Sequence, residues 1–257
     1  MGLHILFELI KNMDLNEIPT APPEDLDRDK IEKITKDLVD RIGELQEVLF
    51  AQKKYGVLII FQGMDASGKD GAVRTVFEEC HPQGLQVVSF KKPTEEEFAH
   101  DFLWRVHKHT PPKGMIHIFN RSHYEDVLIQ RVHRWIDEET VDFRFQAINA
   151  FEQLIQREAN TLILKFYLHI SYEQQEEELK QRLEEKEKHW KHNDNDWKER
   201  EKWEDYRAAY QDVMDRSEVP WYIVPVDKRW YRNYIVAKTL VEELEKLDLE
   251  YPPLERD

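Results

Sequence analysis

Three short groups of residues in this sequence have the composition and spacing of phosphate chemistry. The first is Gly63-Met64-Asp65-Ala66-Ser67-Gly68-Lys69-Asp70-Gly71, which fits the GxxxxGK spacing of a phosphate-binding loop. Gly63 and Gly68 allow the backbone to curl so that the N–H groups around Ala66 and Ser67 point into one cavity. The helix beginning at Lys69 adds the positive end of its dipole. Lys69 is then a point charge for a transferring phosphate. Asp70 stands where a hydroxyl would usually hold magnesium, and Asp65 is a carboxylate among anion-binding groups. Both make sense with Mg2+ between them and a phosphate, so the loop reads as a phosphoryl-transfer site that holds metal itself.

The second group is Asn120-Arg121 with Glu125 and Asp126, and Asn120 follows Lys69 by 51 residues. Arg121 offers a planar fork to a phosphate. The Asn120 amide can order a magnesium-bound water, which with Asp65 gives a candidate metal pair. Glu125 and Asp126 read either as site carboxylates or as first-turn acids that stabilise a helix start. His117 alternates with apolar neighbours and reads as structural. Lys91 and Lys92 end another strand; they read as contacts to acceptor or donor, or as a solvated pair. Arg105, Lys108 and His109 carry the same two readings. The third group, residues 172–204, holds 12 acidic and eight basic side chains. It is expected to form two helical pieces joined around His192–Asp196, either as a solvated hairpin or as a mobile cover that excludes water from a kinase site.

The elements needed to position these groups follow from the apolar pattern. Helical spacing runs from Asp29 to Lys54, and "YGVLIIF", "LQVVSF", "GMIHIF", "TLILKFYLHIS" and "WYIVPV" are five strand candidates. Helices are expected over "EFAHDFLWRVHKHT", within 127–159 and over "NYIVAKTLVEELEKL". Strands alternating with helices argue an α/β fold with a mostly parallel sheet covered on both faces. Ligands then bind beyond the C-terminal strand ends, where the first two groups share a crevice.

The chain has 257 residues, a formal net charge of −15 and 40% apolar side chains, with Cys80 as its one cysteine. The charge argues against a general nucleic-acid binder, and one cysteine excludes an intramolecular disulfide. No apolar run reaches the roughly 18 residues of a membrane span. Gly2 lacks the Ser or Thr that a myristoylation motif requires, since position 6 is Leu. The short apolar patch at the start lacks a basic leader. A soluble cytoplasmic protein is expected.

"GMDASGKDG", "SFKKPTEEEFAHDFLWRVHKHTPPKG", "IHIFNRSHYEDVL", "LKFYLHIS" and "VPVDKRWYRNYIVAKTL", taken as an ordered set, resemble the polyphosphate kinase 2 family from about residue 25 onward. The resemblance implies a P-loop kinase-like three-layer fold related to thymidylate kinases, with a helical lid at about 172–204 and an N-terminal helical extension at about 1–54. It implies transfer of the terminal phosphoryl of inorganic polyphosphate to nucleotides with Mg2+, by a homo-oligomer. Asp65 and Lys69 would be the loop carboxylate and lysine, Asn120-Arg121 the second-motif pair, and Arg182, Lys188 and Lys191 the basic lid positions. "RSHYE", residues 121–125, matches the subgroup that accepts both AMP and ADP, whereas diphosphate-specific members carry "RSWYNR"; Glu125 would be the subgroup marker. A lysine-lined donor channel would also draw on Lys53, Lys54, Lys91 and Lys92. The residues alone leave open an ATP-dependent nucleoside or nucleotide monophosphate kinase and a non-catalytic nucleotide-binding switch.

Overall fold

The computed structural model describes residues 14–254; Gly2 and the apolar patch at the chain start lie outside the described residues. The elements run α1 (Arg28–Gln52), β1 (Gly56–Gln62), α2 (Lys69–Val76), β2 (Leu85–Ser89), α3 (Glu95–Phe98), α4 (Trp104–His107), β3 (Ile116–Asn120) and α5 (Ile129–Val132). They continue with α6 (Glu138–Ala159), β4 (Thr161–His169), α7 (Tyr172–Glu184), α8 (Asp194–Arg200), α9 (Trp203–Arg216), β5 (Trp221–Pro225) and α10 (Arg229–Leu244).

All five expected strands form, and they make one parallel sheet in the order β2-β3-β1-β4-β5. Parallel strands covered on both faces are expected to be continuously apolar rather than alternating. β1 obeys this rule, since all seven of its residues are buried. β4 is buried at every position but Leu162, and it carries Lys165 at its middle, fully enclosed. Helix α1 packs along α10, α10 packs on α2, and α6 lies against β4. The lead-in segment is tied across the molecule. Asn16 accepts from Arg207 at 2.7 Å, and the Thr20 hydroxyl donates to Asp227 at 2.6 Å.

The register brings the site together. Phe61 on β1 pairs with Asn120 on β3, and Arg121 N donates to Phe61 O at 3.0 Å, so both strands leave the sheet in step. Two sequence expectations are corrected here. The stretch "EFAHDFLWRVHKHT" is not one helix but the single turns α3 and α4: Phe98 is exposed while Leu103 and Val106 are buried, so its apolar residues make no continuous buried stripe. Lys53 and Lys54 precede β1 and so lie at the end of the sheet opposite the crevice, where Lys54 pairs with Asp248 at 2.9 Å. They line no channel with Lys69.

Candidate active site

The loop after β1 is built by two glycines whose backbone would be strained by an L side chain. Gly63 has φ +150°, and a Cβ there would come within 2.7 Å of Leu168 O; Gly68 has φ +87°, and its Cβ would meet Arg232 Nη1 at 2.2 Å. Ala66 also takes a positive φ of 65°. An L-residue in that region costs roughly 1–2 kcal/mol, and such residues persist only where their surroundings hold them. Ser67 N donates to Met64 O at 3.2 Å, closing the loop. Arg232, at the start of α10, supports the loop from behind by donating Nη1 to Gly68 O at 3.1 Å. Gly71 faces the same guanidinium.

Lys69 folds back into this loop. Its Nζ donates to Gly63 O at 2.7 Å, Met64 O at 3.0 Å and Ser67 Oγ at 3.4 Å. Burial, reinforced by the positive charge of Arg121, pulls its pKa down to about 8 against the pull of Asp65, Glu125 and Asp70. The loop thus engages the three N–H groups of the ammonium with neutral acceptors, while the nearby carboxylates only partly offset its burial.

Asp65 and Arg121 form a direct ion pair that joins the phosphate loop to the exit of β3. Arg121 also donates to Glu125 Oε2 at 3.3 Å. Burial pushes the Asp65 carboxyl up, but Arg121, Lys69 and Arg182 outweigh it and hold the group below the ordinary carboxylate range. Glu125, beside Asp65, raises the Arg121 guanidinium pKa further. Gln62, in the amide orientation that satisfies its neighbours, donates to Glu125 Oε1 at 3.0 Å and accepts from Ser122 Oγ at 3.1 Å. Asn120 donates to Asp70 Oδ1 at 2.6 Å, and Lys191 reaches Asp70 Oδ2 at 3.4 Å.

The polar segment crosses this crevice and is not a plain solvated hairpin. α7 and α8 are joined by a 3-10 turn, Lys186–Lys191, and by His192–Asn193; Gln175, Leu179, Asp196 and Arg200 are buried. Gln175 Nε2 donates to Asp65 O at 3.0 Å, and Arg200 donates to Gln175 Oε1 at 3.0 Å and to Tyr172 O at 2.7 Å. Tyr210 on α9 accepts from Gly63 N at 3.2 Å. Between cover and sheet lies a cavity of about 160 Å³, whose lining includes Asp65, Arg121, Glu125, Glu199, Trp203 and Tyr206.

The structure therefore brings together Gly63, Asp65, Ser67, Gly68, Lys69, Asp70, Asn120, Arg121 and Glu125, with Arg182 and Lys191 above them. Arg182 donates to Asp196 Oδ2 at 2.6 Å, while Lys188 is engaged by Glu185 at 2.8 Å within the cover. Lys91 and Lys92 remain exposed at the end of β2, outside the cavity lining. Arg105 is buried against Asp126 at 3.5 Å, so it and Asp126 hold the fold rather than a ligand. Lys108 lies over the Trp104 ring, and His117 Nδ1 meets His109 O at 2.7 Å. Sequence reasoning missed Gln62, Gln175, Arg200, Tyr210 and Arg232. Only Arg232 had a signal, inside the quoted "VDKRWYRNY" stretch.

Comparison with known proteins agrees with this geometry. The family model "Polyphosphate kinase 2" matches residues 25–252. The chain is 45% identical over 215 residues to a Meiothermus ruber protein named AMP/ADP-polyphosphate phosphotransferase, covering 82% of this chain and 80% of the relative. It is 38% identical over 258 residues to an ADP-polyphosphate phosphotransferase of Rhodopseudomonas palustris, covering 94% and 89%. The crystal structure of polyphosphate kinase 2 from Arthrobacter aurescens TC1 superposes with a TM-score of 0.93 at 37% identity, covering 98% of this chain and 92% of that one. With its parallel sheet, its glycine-built loop and matches over nearly its whole length, the chain belongs to the polyphosphate kinase 2 family.

Proposed function

We propose that this protein moves the terminal phosphoryl group of inorganic polyphosphate onto AMP and onto ADP, forming ADP and ATP. The observation that carries the reading is the Asp65–Arg121 pair, closed over Lys69 by the cover and facing a cavity that also holds Glu125. Relatives named for AMP/ADP and ADP acceptors support the substrate class. We further propose one P-loop kinase domain, with α1 and its lead-in as the extension and 172–204 as the lid. A cytoplasmic homo-oligomer completes the proposal.

The donor set fits Mg2+. Asp65, Asp70 and the Asn120 amide are hard oxygen ligands, and this ion is commonly held by one or two carboxylates with substrate phosphates completing its shell. When bound it supplies charge neutralisation on the phosphate oxygens. Lys69 neutralises the moving phosphoryl, and Arg121 grips the acceptor phosphate with its planar fork. An oxygen of the acceptor phosphate forms the new P–O bond while the bridging P–O bond of the terminal polyphosphate unit breaks. A nucleotide phosphate, with a second pKa near ~6, already carries the attacking oxygen deprotonated at neutral pH. Asp65 therefore orients that oxygen rather than removing a proton. The lid excludes the water that would otherwise accept the phosphoryl. Lys188, Lys191, Arg182, Lys91 and Lys92 complete the donor contacts in this reading.

The test is product analysis with AMP or ADP, polyphosphate and Mg2+, without ATP and free of adenylate kinase. ADP followed by ATP from AMP is expected. Transfer seen only with ATP as donor would refute the proposal.

A further inference from the structure

Directly beneath the Arg121 turn lies a set of buried charges that the proposed transfer does not use. Lys165 on β4 and Glu152 on α6 are both fully enclosed. Lys165 Nζ donates to Glu152 Oε2 at 2.7 Å and to the Tyr124 hydroxyl at 2.6 Å. Tyr124 donates in turn to Glu152 Oε1 at 3.0 Å, and His123 Nε2 lies 3.3 Å from the same oxygen. Burial depresses the His123 pKa, which favours the neutral ring; with Nε2 as donor to Glu152, Nδ1 is left without a hydrogen-bond partner among the described residues.

Enclosing two ions is costly, and an apolar pair of similar volume is often as stable or more so. What apolar side chains lack is the ability to fix the direction of a hydroxyl and a ring nitrogen. Direction matters at this turn. Arg121 and Glu125 line the cavity, while His123 and Tyr124 point the other way into the buried network. Arg121 holds a left-handed φ of 61°. That conformation needs its surroundings to impose it. On the far side Asp126 is fastened to Arg105, so the turn is gripped at both ends.

We propose that Lys165 and Glu152 are positioning residues for phosphoryl transfer: by gripping Tyr124 and His123 they fix the turn that aims Arg121 and Glu125 at the acceptor phosphate. The inference rests on the acceptor-side reading of Arg121 given above.

Two variants test it. Tyr124→Phe keeps the ring and removes the hydroxyl; Lys165→Met combined with Glu152→Gln makes the pair neutral. Initial rates are measured with AMP varied at saturating polyphosphate, then with polyphosphate varied at saturating AMP, alongside thermal unfolding. Tyr124→Phe is expected to fold, to raise the KM for AMP about fivefold or more and to lower kcat, with the KM for polyphosphate within twofold. The neutral pair should show the same split more strongly. A purely structural role would lower the melting temperature and leave both KM values alone; that result, or an equal rise in both, overturns the inference. If the neutral pair does not fold, Tyr124→Phe decides. Arg121→Ala separates the premise: an inactive Arg121→Ala beside wild-type kinetics in Tyr124→Phe refutes the positioning role only. Full activity in Arg121→Ala refutes the site reading and the inference together.

Discussion

At Lys69 an ammonium is shut into a loop of neutral carbonyls and a hydroxyl, with its pKa brought down to about 8. The charged form is present below that pH and lost above it. Since kcat/KM follows the free enzyme, it should fall as pH rises through about 8. A bound phosphate favours the ammonium, so the corresponding fall in kcat should come at higher pH. Lys69→Ala should fold, because the side chain bonds only atoms of its own loop and no part of the sheet core, and lose about 10²–10³ in kcat. Rate profiles and circular dichroism check both. Asp65→Asn keeps the shape but loses charge, so it should remove most activity, weaken the dependence on Mg2+ and change nucleotide affinity less; titration of turnover against Mg2+ and a separate binding measurement decide. Glu125 shares Arg121 with Asp65. Glu125→Asn should therefore cut phosphorylation of AMP more than of ADP, whose additional phosphate brings its own grip, as parallel time courses would show. The meeting of Asp65, Lys69, Asn120 and Arg121 at one crevice was legible because it follows from local spacing next to a strand. Arg200, Tyr210 and Gln175 were not, since each acts through a partner at least 25 residues distant. Lys165 did leave a trace, as a lone cation inside the apolar run "TLILKFYLHIS".

Among the elements, the strands were the most legible, because continuous burial leaves a continuous apolar run. Across α3 and α4 the apolar residues keep a helical period in the sequence, which hides the break: Phe98 is exposed while Leu103 and Val106 are buried. The 3-10 turn within the cover was also unreadable, because charge and tryptophan alone do not fix how a polar segment folds. Its mechanical role is clearer. The cover is held to the loop by Gln175 and Arg200, and within itself by Arg182–Asp196. Lys191 extends to Asp70. A polyanion arriving at the site would compete with the carboxylates for Arg182 and Lys191, and so tie the cover to the donor instead. Hydrogen exchange with and without polyphosphate should show increased protection in 180–200, centred on the Lys186–Lys191 turn. Equal protection with and without donor would leave the segment a static wall.

Over the whole molecule the formal charge is −15, yet Lys69 and Arg232, both depressed by burial, are enclosed beside the phosphate loop. The global field opposes an anionic substrate, so any attraction must come from local groups such as these enclosed cations. The same buried groups govern stability toward acid. Burial, helped by the neighbouring Arg207, depresses His169 to about 4, so between the unfolded pKa near ~6.5 and pH 4 the unfolded chain binds the extra proton. Stability from this group is complete above about 6.5 and is lost on acidification, by about 3 kcal/mol at most. Asp126 works in the opposite sense. Burial raises it to about 6, so it stabilises the fold at low pH and loses that contribution as pH rises from about 4 to 6, by a similar amount of roughly 3 kcal/mol. These two nearly offset each other, and the balance passes to His117 and His123, both depressed by burial. Each adds stability that is lost as pH falls below about 6.5. Thermal unfolding should accordingly show a lower Tm at pH 5 than at pH 7. Asp126→Asn removes the opposing contribution, so the drop in Tm between those two pH values should be steeper in that variant than in the wild type. A flat or reversed dependence would mean that the buried histidines keep their protons in the folded state.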